Sequence, residues 1–448
     1  MLALRKLLVA GAMAVPMVAL AACGSGSEKA PDAPEASSWQ SKIKGGPLEV
    51  GVLPATGTPS LAFLQKIADS MGKDIPGTKI KLTFANTEAR PALEQRWRSG
   101  DGLDVDYTMF DGTNESLLVW ADDGKLLDLA PYLKQNDKTT GKPWLDSFSP
   151  AVRQFMEHPE SKKIYGVPSE LSLQVLFYNA KLFKDNNIKP PATWDDLTTA
   201  ADQLKAASVD PIAVTGLFEP YLGMWTDNLW MRTVGYDKAH KVLAEGKGNV
   251  TDDPGFLEGL KKMQDLRDSG AFLKGFEGTD FTAAQAQFFQ GKAGMILMGS
   301  WLVSEMKDVI PADFDLGVVA FPTVEGGAGD ESGMMAMAQL MSISADSKNV
   351  PLSLEWVRRV TSAKTQTSRA EEIGEVSAVQ GVASPPGLPG ISEIVGKADQ
   401  LHPAYYGILQ SKAKDVVYPE IARMLFGKQD AEKTLKALDE GLRRVYGN

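Results

Sequence analysis

Twelve residues near the middle of the chain, EPYLGMWTDNLW from Glu219 to Trp230, set one tyrosine, two tryptophans and a proline among two acids. Flat rings beside planar carboxylates suit a particular task. The rings stack on an apolar face, and the acids accept hydrogen bonds from hydroxyl groups around its edge. Pro220 fits the first helical position, where its missing N–H removes no bond. A helix from there carries Tyr221, Trp225 and Leu229 on one face at i, i+4 and i+8, with Trp230 around the side. Such a stripe is also how a helix buries itself in a core, and spacing alone leaves both readings open.

Other reactive patterns are absent from the sequence. His158, His240 and His402 are widely spaced, and none belongs to an H-E-x-x-H motif or a Cys/His cluster. There is no G-x-S-x-G elbow and no phosphate-cradling glycine loop. With 57 acids in the chain, carboxylate pairs do not discriminate. The expectation is a protein that is not an enzyme, with no catalytic residue, no metal ligand and no cofactor. His158 and His402 each precede a proline, which points to exposed turns.

The chain opens with Arg5 and Lys6, then an apolar run broken by Pro16 and ending in Leu20-Ala21-Ala22-Cys23. That is too short and interrupted for a membrane span and suits a secretory signal over residues 1–22. The last four residues resemble the lipobox of bacterial lipoproteins, in which the cysteine carries the lipid. Cys23 is the only cysteine, so no internal disulfide forms, and lipidation accounts for it. The following GSGSEKAPDAPEASS has almost no large apolar side chain and reads as a flexible tether over 23–46. Loss of the signal takes the formal charge from −10 to −12, because Arg5 and Lys6 leave with it. An acidic body without basic runs argues against nucleic acid as a partner.

The body, about 400 residues from Pro47, has the length of two or three domains. LEVGVL, LAFLQKIADSM and KIKLTF read as strand, helix, strand, which is a βαβ unit with a parallel pair. A helix holding Arg96-Trp97-Arg98, the strand DVDYTMF and a helix ending before Gly124 complete a first α/β pattern. Ligands of such sheets sit beyond the carboxyl ends of the strands, here the Thr56-Gly57-Thr58 loop and the Phe110-Asp111-Gly112 turn. A second α/β pattern starts at KIYGVP with the strand LQVLFYN. There Thr193 and Asp196 form a capping box ahead of a clear helix. DPIAVTG, GMILMGS and DLGVVAFP are further short strands, and AEKTLKALDEGLRRV is an amphipathic terminal helix.

Six fragments, in order, resemble the extracellular solute-binding proteins of ABC importers, the maltose-type, carbohydrate-binding lipoproteins. They are GDGLDV, YGVPSELSLQVLFYNAKLF with PPATWDDL, FFQGKAGMILMGSW, DLGVVAFPTVEGG, ISADSKNVPLSLEWVRRVTS and LFGKQDAEKTLKALDE. Together they cover nearly the whole body. The resemblance implies an α/β fold of two lobes like the periplasmic binding proteins, each a sheet flanked by helices, with a hinge between. Lobe one would hold 47–163 and 342–397, and lobe two 164–338 and 398–448. The implied function is the capture of a carbohydrate by hinge closure. The partners would be ABC permease subunits, and the protein would be an extracytoplasmic monomer held at the cell membrane through Cys23. A polyol or glycerol phosphate is the alternative solute, and a secreted, lipid-anchored glycosidase is the alternative class.

Residue by residue, the resemblance sets Glu219-Pro220-Tyr221 and Trp225 at a cleft wall. Trp301 would face the solute, with Asp111, Glu170 and Thr56 as hydroxyl-binding groups. One of Tyr405, Tyr406 and Tyr418 would reach the cleft, and Trp230 would stay in the core. Two positions depart from the family pattern, with Leu103 in place of proline and Gly294 in place of alanine. ESGMMAMAQLM, ahead of the second crossing, carries four methionines, which read as core near the hinge.

Overall fold

The computed structural model describes residues 38–53, 58–85, 89–110, 115–158 and 160–447. Cys23, Thr56 and Asp111, with the signal and most of the tether, lie outside the described residues. The body begins earlier than Pro47. Trp39–Lys42 form a 3-10 turn; the Trp39 ring is buried 6.0 Å from that of Trp144, and the Trp39 backbone N–H donates to Gln135 Oε1 at 3.3 Å. One large aromatic outweighs the small polar residues around it, so the expected tether is shortened at its C-terminal end.

Nine strands occur among the described residues: β1 Pro47–Val52, β2 Lys79–Phe84, β3 Val105–Phe110, β4 Val167–Asn179, β5 Asp210–Ala213, β6 Ala293–Gly299, β7 Leu316–Val319, β8 Met334–Ile343 and β9 Leu401–Pro403. Their order is β2-β1-β3-β8-β4-β6-β5, with β7 against β4 and β9 against β8. β1 and β2 pair in parallel across the helix Pro59–Asp74, as the βαβ pattern requires. Thr58 starts that helix by accepting the Leu61 N–H on its hydroxyl at 3.3 Å.

β4 decides the architecture. The apolar run predicts a strand over 173–179, but the strand is thirteen residues long. Its first half pairs with β8, from Val167↔Met341 to Leu173↔Ala336. Its second half pairs with β6, from Gln174↔Gly299 to Tyr178↔Met295, and with β7 on the opposite edge. β8 in turn pairs with β3. Two halves are therefore joined by two adjacent crossing strands, and β4 changes partner between Leu173 and Gln174. The methionine-rich segment is itself the second crossing. Met334, Met335 and Met341 are buried there, and Met337 is partly exposed.

Two cores follow from the alternation of β6. Ile296 and Met298 face a cluster that runs from Val50, Tyr107 and Trp356 to Phe288. Met295 and Leu297 face the other, built from Trp225, Trp230, Phe256, Tyr406 and Tyr418. The predicted capping box is present: Thr193 Oγ1 accepts the Asp196 N–H at 3.1 Å, and Asp196 Oδ2 accepts the Thr193 N–H at 3.0 Å. Thr193→Ala is expected to cost about 1 kcal/mol in urea denaturation.

The two histidines before prolines are not on exposed turns. Both are buried, His158 against Asp122 (3.3 Å) and His402 against Asp330 (2.8 Å). A following proline restricts the backbone only, and nearby carboxylates draw the rings inward. Among the described residues, no helix is long and apolar enough to cross a membrane.

Candidate functional site

The helix Glu219–Thr233 separates into an open first turn and a buried remainder. Glu219, Pro220 and Tyr221 are half-buried, and every residue from Leu222 to Thr233 is buried. Pro220 is the second helical residue, one position later than expected and still in the first turn, where its missing N–H removes no bond. Close approach of its neighbours pins the helix. A Cβ on Gly223 would lie 2.2 Å from the Tyr418 ring, so only glycine lets that ring pack flat on the backbone.

Around Tyr221 the structure gathers rings that the sequence did not single out. Phe218 meets Tyr221 edge-on at 4.8 Å, and Phe281 lies 6.3 Å from Phe218 and 6.0 Å from Tyr221. Phe218 and Phe281 are each 40% exposed, unusual for phenylalanine and the mark of a surface that receives something apolar. Trp301, also half-buried, lies beside the Tyr221 hydroxyl, and its indole N–H opposes the rise that burial gives that group. Its ring lies over the end of β6, since a Cβ on Gly299 would meet that ring at 2.0 Å.

Two carboxylates accompany the rings. Burial pushes the Glu219 carboxyl above its ordinary value. Burial does the same to Glu305, with a hydrogen bond from Gln285 Nε2 (3.1 Å) opposing it. Burial, then the Glu305 charge, raises the Tyr221 hydroxyl. Among the described residues neither Glu219 nor Glu305 has a cationic partner, so both keep acceptor capacity for a hydroxyl donor.

The floor comes from the crossing strands. Glu170 faces Gln339 and Ser172 faces Met337 in register, all four partly exposed and on one face of the sheet. Ser172 on β4 and Met337 and Gln339 on β8 carried no signal in the sequence. Glu170 is on this floor, but its carboxylate is engaged. Arg369 Nη2 donates to Glu170 Oε2 at 2.9 Å and also pairs with Glu375, which accepts from Ser60 Oγ at 2.7 Å. Burial, followed by the Glu375 charge, pushes Glu170 well above the usual carboxylate range against the opposing pull of Arg369.

Tyr221, Glu219 and Trp301 thus come together, and Glu170 lies on the floor. Trp225 does not join them: it is 0% exposed and packs edge-on to Phe272 and Phe321. The i+4 spacing keeps it on the Tyr221 face, but one turn deeper that face is covered by core. Trp230 and Leu229 are buried, as expected. Tyr405, Tyr406 and Tyr418 are all buried too, so none of them reaches the open surface. Tyr406 donates its hydroxyl to the Asp227 carbonyl at 2.8 Å, and Tyr418 to Asp227 Oδ2 at 3.3 Å.

The family of bacterial extracellular solute-binding proteins matches residues 55–367. The multiple sugar-binding protein of Streptococcus mutans is 27% identical over 329 residues, 72% of this chain and 73% of that relative. A structure from work on xylan utilization by Caldanaerobius polysaccharolyticus has a TM-score of 0.68 at 25% identity, covering 88% of this chain and 99% of that one. The apo form of RafE from Streptococcus pneumoniae has a TM-score of 0.74 at 19% identity, covering 90% and 99%. The pairing of β4 and β8 across two α/β halves is the two-lobed arrangement of these proteins. The chain belongs to the bacterial extracellular solute-binding protein family.

Proposed function

We propose that this chain is the lipid-anchored receptor of an ABC importer and that it captures a carbohydrate between its lobes by hinge closure. The observation that carries the reading is the cluster of Tyr221, Trp301, Phe218 and Phe281 beside Glu219 and Glu305. A pyranose has an apolar face for the rings and hydroxyls for the acids, and a buried hydroxyl without a partner costs about 1–3 kcal/mol. The name of the Streptococcus mutans relative supports the same solute class.

Lobe one comprises about 47–163 and 342–397, together with the Trp39–Lys42 turn, and lobe two about 164–338 and 398–448. Closure is a rotation at the two crossing strands, where β4 exchanges β8 for β6. Thr56 and Asp111 are the hydroxyl-binding groups proposed from lobe one, on the resemblance alone. Cys23 carries the lipid, and the Gly-, Ser- and Pro-containing segment after it connects a monomeric receptor to its anchor beside the permease. The protein delivers its solute unchanged, without catalysis.

A thermal-shift panel of the full-length chain tests the solute class. A ligand at about 100 times its Kd adds about 2.7 kcal/mol of stability, an upward shift of the melting midpoint. Maltotriose, raffinose, xylotriose and single sugars are the carbohydrate arm; glycerol and glycerol 3-phosphate are the other. A shift confined to the second arm overturns the carbohydrate reading, and release of a cleaved product overturns the binding role.

A further inference from the structure

Just beyond the floor, one face of β4 holds an unmet hydrogen-bonding pair. Side chains alternate along a strand, so Gln174 follows Glu170 and Ser172 on the floor side. Asn228 Nδ2 donates to Gln174 Oε1 at 2.7 Å and to the Met224 carbonyl at 2.8 Å. These two bonds fix the orientation of both amides, since either flip sets oxygen against oxygen or nitrogen against nitrogen. Gln174 Nε2 and Asn228 Oδ1 then have no partner, although each residue is only 1% exposed. Leaving such a group unmet costs about 1–3 kcal/mol. Here a donor and an acceptor are both unmet, flanking a single amide–amide bond.

Their position ties them to the solute site. Gly299 is the register partner of Gln174, and facing residues of an antiparallel ladder project to the same side. The side-chain space at Gly299 is filled by the Trp301 ring, so that ring is the cross-strand neighbour of the Gln174 amide. Asn228 is seven residues after Tyr221 and shares its helix face, and the Trp301 indole lies beside the Tyr221 hydroxyl. The amide pair therefore lies directly behind the aromatic wall, at the residue where β4 changes partner.

We propose that Gln174 and Asn228 are an inner anchor of the solute site, taking neighbouring hydroxyls of a carbohydrate ring when the Trp301 ring swings off Gly299. The proposal rests on the carbohydrate reading above and narrows it. A phosphate dianion or carboxylate only accepts and leaves Asn228 Oδ1 unmet. An ammonium only donates and leaves Gln174 Nε2 unmet. A hydroxyl both donates and accepts, and two vicinal hydroxyls serve both amide atoms at once. The anchor thus selects uncharged polyhydroxylated rings.

Calorimetric titration of the full-length chain with maltotriose, raffinose and xylotriose tests it, first on the wild type and then on two variants. Gln174→Met with Asn228→Leu removes both amides with little change of volume, a replacement that leaves folding near neutral. Gln174→Glu keeps an oxygen that accepts from Asn228 and puts a second oxygen, an acceptor when ionised, in place of the unmet donor. For a sugar that the wild type binds, each variant is expected to lose about tenfold or more in affinity. A monodeoxy analogue of that sugar should lose a similar factor on the wild type and almost none on the double variant. Affinity within about twofold of wild type in both variants means that the gap holds an ordered water only, which overturns the anchor. If the double variant fails to fold, Gln174→Glu and the deoxy series on the wild type decide: no analogue weaker by more than about twofold overturns it as well. A wild type that binds none of the three sugars overturns the carbohydrate reading, and the anchor falls with it.

Discussion

Replacing Arg369 with methionine should cost about 3–5 kcal/mol of folding stability, the usual loss when one partner of a buried ionic cluster is removed. Arg369 is buried, and it holds Glu170 from the crossing strand and Glu375 in the following segment. Without the guanidinium, two neighbouring carboxyls in a low-dielectric site can share a proton but cannot both ionise. The pH dependence follows from the direction of the shift. Burial and the Glu375 charge raise Glu170 well above 4.5 even with Arg369 in place, and removing the arginine raises it further. A raised folded value means that the folded state holds the proton more tightly. The associated stability is fully present below the unfolded value and is lost as pH rises through the folded one. The variant should therefore be more stable at pH 5 than at pH 8. Urea denaturation at both pH values measures this, and a loss under about 1 kcal/mol, equal at the two, would contradict the buried-charge account.

Alanine at Trp225 and alanine at Tyr221 should have opposite signatures. Trp225 is enclosed by Phe272 and Phe321, so its truncation leaves a cavity and costs about 3–5 kcal/mol. Sugar affinity in the fraction that remains folded should change little. Tyr221 is half-buried at the open first turn, in contact with Phe218, Phe281 and Trp301. Its truncation should cost about 1 kcal/mol or less of stability and reduce sugar affinity by about 10- to 100-fold, through lost stacking and a released Trp301. Denaturation and calorimetry on the same preparations separate the two. Intact binding in Tyr221→Ala would remove the aromatic wall from the site.

The contrast shows what helical periodicity can and cannot say. Tyr221, Trp225 and Leu229 share a face because 3.6 residues make a turn, and the chain alone dictates that. Whether a given turn of that face meets solvent depends on what other segments lay over it. Phe272, Phe321 and Tyr418 come from 47 to 193 residues beyond Trp225. The open end of the helix was legible because Pro220 marks it. The burial of Trp225 was not, since an aromatic stripe looks the same in a core and on a wall.

Glu170 repeats the lesson with charge. It was a candidate through the resemblance, the apolar run predicting a strand only from Leu173, and its partner Arg369 lies 199 positions away, where no local rule pairs them. Phe218 and Phe281 were equally silent, being ordinary hydrophobic residues until the fold leaves both at the surface together. His402 shows the reverse error, a turn-like His-Pro pair drawn inside by Asp330.

Local sequence specifies the elements: the βαβ opening, the Thr193 capping box, the short apolar strands and the terminal helix. Each depends on interactions within a few residues, where backbone preference, capping and alternation act directly. Tertiary structure alone decided that β4 runs unbroken through both halves, exchanging β8 for β6 between Leu173 and Gln174. It also decided which acids keep acceptor capacity and which are held by an arginine, and that two amides behind Trp301 are left unmet. Those outcomes depend on burial and on partners distant in the chain, and a side chain's desolvation and pairing exist only once the fold has brought them together.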